Sequence, residues 1–145
     1  MASRTYAPWL WLLAAAFLVR VLAQPMALVV GTRFLLPFDA WYSGVVPYSV
    51  LLATQLLILG WLTLTARRFA VGTVAPRRRL GVVTLVFAVV YFAAMLIRLL
   101  LGATILGDRR WFASPLPTIF HLVLATFLFL YGHFHLRHGQ EARDG

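Results

Sequence analysis

The sequence predicts an all-α membrane protein: a four-helix bundle built from two tandem helical hairpins, with both termini on the cytoplasmic side. Three observations point there. Apolar residues make up 62% of the 145 and charged residues only 12%, against about 25% charged in a typical soluble domain. Charge is absent from long stretches, notably Ala40 to Ala66 and Leu80 to Ile97, each near the ~20 residues a helix needs to cross the hydrocarbon core. Finally, several landmarks recur in the same order in both halves of the chain.

The first helix is expected at about 8–30, with Arg20 inside it and Pro25 as a kink. Trp9 to Val19 also reads as a signal-peptide core with a cleavage site at Val21-Leu22-Ala23; the single arginine before it, Arg20 where such a signal should be uncharged, and the following proline favour a retained helix. A connector rich in aromatics, Gly31 to Gly44, leads into the second helix at about 46–65. The segment Ala66 to Arg79 reads as a polar loop carrying Arg67, Arg68, Arg77, Arg78 and Arg79. The third helix is expected at about 80–106, with Arg98 inside it. A short connector, Gly107 to Ser114, precedes the fourth at about 116–136, and the polar end of the chain is expected to fray.

The recurring landmarks divide the chain into units 8–65 and 80–136. Phe17-Leu-Val-Arg20-Val-Leu answers to Met95-Leu-Ile-Arg98-Leu-Leu, Trp41-Tyr42 then Pro47 to Trp111-Phe112 then Pro117, and Ala53-Thr54 then Gly60 to Ala125-Thr126 then Gly132. Gaps are needed to align them. The small residues at seven-residue spacing suggest that helices 2 and 4 approach closely, since close backbone contact drives helix association in lipid.

Orientation follows from arginine placement, because positive charge is retained on the cytoplasmic side. Arg4, the five loop arginines, Arg137 and Arg143 lie on one side; Arg33, Arg109 and Arg110 lie on the other. The formal charge of +9 comes wholly from arginine. With no basic helix left over to enter a groove, the expected partner is the bilayer, with anionic lipid against Arg67, Arg68, Arg77, Arg78 and Arg79, rather than nucleic acid. The lysine-free, Ala/Arg/Leu-rich composition is associated with a bacterial cytoplasmic (inner) membrane.

Arg20 and Arg98 are the most informative residues, since an arginine at membrane depth costs at least ~2.5 kcal/mol on insertion scales. The membrane runs contain no Asp or Glu, and the nearest carboxylates are Asp39 and Asp108 in the outer connectors. Four answers are open: snorkelling, pairing with those aspartates, contact with lipid or another subunit, or an anionic or quinone-like ligand. Tyr48, Gln55 and His121 could complete such a ligand site. His135 and His138 share a helical face, but zinc normally takes three or four ligands, so the pair is a weak metal candidate. No cofactor is expected; bis-histidine haem would require a second histidine at the depth of His121. Absence of cysteine excludes disulfides and thiolate clusters. No nucleophile–base pair and no phosphate-binding glycine loop is evident.

The expectation is therefore a small non-catalytic membrane protein, an accessory or assembly subunit of a larger complex or a homo-oligomer. The alternatives are a binding or transport protein for an anionic, quinone-like or lipid ligand near the arginines, and, last, a haem-binding redox subunit.

Overall fold

A computed structural model describes residues 2–30, 47–105 and 115–144. They form four helices: α1 (Ala2–Val30), α2 (Tyr48–Val71), α3 (Arg78–Thr104) and α4 (Pro115–Asp144), with no strand among the described residues. Each is long and apolar enough to cross a membrane. At 1.5 Å per residue, the 24 residues of α2 already extend about 36 Å, beyond the ~30 Å hydrocarbon core. The protein is a small all-helical integral membrane protein.

The helices run further than charge alone suggested. Ser3, Ala7, Leu10, Ala14, Phe17 and Val21 are all buried at alternating steps of four and three, which carries α1 back to Ala2 and through Pro8 and Pro25 as one helix. On α2, Leu62, Thr65, Ala66 and Phe69 form one buried stripe at i, i+3, i+4 and i+7. That stripe continues the helix past the expected end at Thr65. Arg67 and Arg68 therefore belong to the last turns of α2 rather than to a loop, and both are exposed on it. The stop is Gly72, at φ 86°, whose N–H donates to the carbonyls of Arg68 and Phe69; only glycine adopts this conformation without strain. The Arg4 guanidinium donates to the Val71 carbonyl at 3.3 Å. The polar end of the chain, expected to fray from Arg137 on, continues α4 as helix through Asp144. The outer connectors and Asp39 and Asp108 lie outside the described residues.

Packing joins α1 to α2, α1 to α4 and, most extensively, α3 to α4. No comparable contact joins α2 to α3. The main core holds Leu10, Ala14 and Phe17 of α1, Leu62, Ala66 and Phe69 of α2, and Phe127 and Phe134 of α4.

The expected small-residue contact between α2 and α4 is not what the structure shows. Gly60 faces open space. Gly132 instead meets α3, where an added Cβ would lie 2.8 Å from the Leu85 backbone nitrogen. Gly139 lies equally close to Arg78, and Gly81 to the backbone of Leu136 and His135. Ala88 and Ala125, both fully buried, continue the two seven-residue series. Helices α2 and α4 meet through large rings: Trp61 with Phe127 at 5.7 Å between centroids, and Phe69 with Phe134 at 4.7 Å, edge to face. The Ala–Gly spacing was a real packing signal, but it belongs to the α3–α4 pair. Rings that fill the α2–α4 gap keep those two backbones apart.

Candidate functional site

The two intramembrane arginines turn inward. Arg20 is 5% exposed and Arg98 8%, so neither side chain snorkels along the lipid surface. They come from different helices: Arg20 lies ten residues before the end of α1 and Arg98 six before the end of α3, roughly 15 and 9 Å along the respective axes. Both guanidiniums lie close enough to the Tyr91 hydroxyl and the His121 ring for their charge to be felt there. Tyr91 and His121 Nδ1 in turn share a hydrogen bond of 2.5 Å, with the two rings edge to face. The Arg20 guanidinium carbon stands 5.2 Å from the centre of the Phe120 ring, a favourable cation–π arrangement. Its Nη1 is buried with no hydrogen-bond partner among the described residues.

Three of the expected site residues, Arg20, Arg98 and His121, thus converge on a single cluster. Tyr91 joins them and was not anticipated. The signal was present: Tyr91 precedes Arg98 by seven residues and so shares its face of α3. Gln24, fully buried four residues after Arg20, and Thr118, 2% exposed three residues before His121, follow from the same helical spacing.

Gln55, a fourth expected residue, is 4% exposed, and neither of its amide atoms has a hydrogen-bond partner among the described residues. Tyr48, the fifth, opens α2. The repeat residues Thr54 and Thr126 donate to the carbonyls of Val50 and Leu122, one turn back in their own helices.

At the other end of the bundle the histidines of α4 diverge. His133 Nδ1 and the Tyr6 hydroxyl share a hydrogen bond of 3.0 Å. The His138 ring packs against Tyr6 and Phe134. His135 turns the other way and accepts from the Arg77 backbone N–H at 3.2 Å. Among the described residues no three His, Asp or Glu side chains are grouped so as to hold a metal ion.

No protein family, curated protein or solved structure matches this chain. The functional reading therefore rests on the site itself. Its chemistry is that of an acceptor-seeking cluster: two guanidiniums, a phenol and an imidazole converge in the interior of a membrane protein, and the described spans contribute no carboxylate to face them. Such a set suits carboxylate, phosphate or a polarised carbonyl.

Proposed function

We propose that this protein binds an anionic or quinone-like ligand between Arg20 and Arg98 within the bundle. The observation that carries the reading is the buried Arg20 Nη1, which among the described residues has no hydrogen-bond partner, near the Tyr91–His121 pair. A buried donor left unsatisfied costs about 1–3 kcal/mol, more when charged, so a ligand oxygen there is strongly favoured. Mass spectrometry of the intact protein released from mild detergent tests this. The wild type is expected to carry a co-purifying small molecule, and Arg20→Ala and Arg98→Ala should each lose it. Folded wild-type protein at the bare polypeptide mass would remove the support for the reading.

A second reading, the non-catalytic subunit of a larger membrane complex, draws on α3. Val83, Phe87 and Val90 are exposed along one line of that helix, which packs extensively on α4 alone among the described helices. Further polypeptides in the same mass spectrum would favour it.

The arrangement we favour is two tandem hairpins in a bacterial cytoplasmic membrane with both termini inside, on the strength of the arginine asymmetry. Native cysteine is absent, so Thr73→Cys and Ser43→Cys report sidedness cleanly. An impermeant maleimide should label position 43 and not position 73 in intact cells; the reverse pattern would invert the topology.

A further inference from the structure

The five arginines around the α2–α3 connection are not equivalent. Arg68 and Arg77 line a half-open cavity of about 300 Å³, together with Thr65, Thr73, Tyr131 and His135; Arg67 and Arg79 do not. The cavity sits where α2, α3 and α4 meet, at the opposite end of the bundle from Arg20 and Arg98. Its lining includes no carboxylate.

His135 shows which way the polarity of this cavity runs. Its Nδ1 accepts the backbone N–H of Arg77, the residue immediately before α3. A neutral imidazole with one nitrogen accepting carries its proton on the other. Nε2 is therefore a donor, and among the described residues it is buried with no hydrogen-bond partner, in a side chain only 2% exposed. Two arginines, three hydroxyl-bearing residues and His135 thus line a space with charged donors and no anionic acceptor. The positive end of the α3 dipole adds to the same field.

The cavity also opens to the right place for a lipid. It lies along the α2–α3 edge, the one between sequential helices that packing leaves unfilled. Trp61 and Leu80, both partly exposed, flank it, and Leu57, Leu64 and Val83 continue the apolar surface of these two helices toward the membrane interior.

We infer that this cavity binds a phosphate group, from a phospholipid headgroup or from free phosphate, through Arg68, Arg77 and His135. Three acceptor oxygens match the donors present, and charge-assisted hydrogen bonds are the strong kind. A lipid bound here would place its headgroup among the arginines and its chains along the α2–α3 edge.

The test is a titration of the purified full-length protein in detergent, with dioctanoyl phosphatidylglycerol or inorganic phosphate, read by native mass spectrometry. Arg68→Gln and Arg77→Gln should each weaken binding about tenfold, the loss of one charge-assisted contact. His135→Asn keeps an acceptor near the Arg77 N–H but lacks Nε2, and should weaken it about threefold or more. Arg67→Gln and Arg79→Gln, off the cavity, should leave it unchanged. Phosphatidylglycerol binding that excess phosphate cannot displace identifies a lipid headgroup; phosphate binding with the same variant pattern identifies the free anion. Equal losses in all four arginine variants would mean diffuse surface charge and overturn the site, as would no binding of either ligand. Arg68 is exposed, so its variant stays informative even if His135→Asn impairs folding.

Discussion

Gly81→Ala should destabilise the protein by about 1–3 kcal/mol, the usual cost of overpacking a filled contact, while Gly60→Ala should leave it unchanged or slightly more stable. The two sites make a matched pair. Both are glycines in long apolar helices, and alanine is the better helix former by up to ~1 kcal/mol. At Gly60 the new methyl meets nothing. At Gly81 it meets the backbone of Leu136 and His135, atoms that cannot rotate away as a side-chain end would. Helices α3 and α4 would have to separate, and in lipid it is this close contact that holds them together. Gly132→Ala should behave like Gly81→Ala, because the Leu85 backbone stands as near. Reversible unfolding in mixed micelles of mild detergent and SDS reads the difference directly. Equal stability for the alanine variants at 60 and 81 would show that the α3–α4 contact is not as close as described.

Arg20→Met should abolish ligand retention while leaving the ligand-free protein at least as stable as wild type. The magnitudes oppose one another. Placing arginine at membrane depth costs at least ~2.5 kcal/mol, and its contact with Phe120 returns up to ~2 kcal/mol when desolvated. The net contribution to the empty fold is then small or unfavourable, and replacing a buried charge by an apolar side chain of similar volume is often neutral or stabilising. A ligand anion reverses the sign for wild type alone. Thermal melting after delipidation, and again with the ligand found by mass spectrometry restored, separates the two states. A variant more than ~1 kcal/mol less stable than wild type when empty would make Arg20 a structural residue, since breaking a satisfied buried pair is strongly destabilising.

The existence of the four spans was legible in the sequence because uncharged runs of that length have few other uses. Arg20, Arg98 and His121 could be singled out because a charge at membrane depth needs an explanation, but snorkelling and inward burial both stayed open until the structure turned the two guanidiniums inward. What escaped was where helices end and which neighbours they choose. A run of arginines read as a loop, yet the buried stripe from Leu62 to Phe69 extends the helix beneath them; exposed charge and helical backbone are independent. The spacing Ala125–Gly132 correctly marked a close contact, but small residues do not name their partner. Of the residues that complete it, Gly81 stood at the very start of the expected third helix, without a matching small residue to flag it, and Gly139 in the polar end expected to fray. Tyr91 was missed because one tyrosine in an apolar helix carries no signal until the residue seven positions later is recognised as its companion.

The bond from the Arg77 N–H to His135 bears on how the protein is made. The side-chain acceptor that finishes the start of α3 is translated 58 residues later, after α3 itself is complete. While only three helices have emerged from the ribosome, the glycine face of α3 has no mate and its first turn lacks that acceptor. Helices α3 and α4 therefore reach their final form only as a pair.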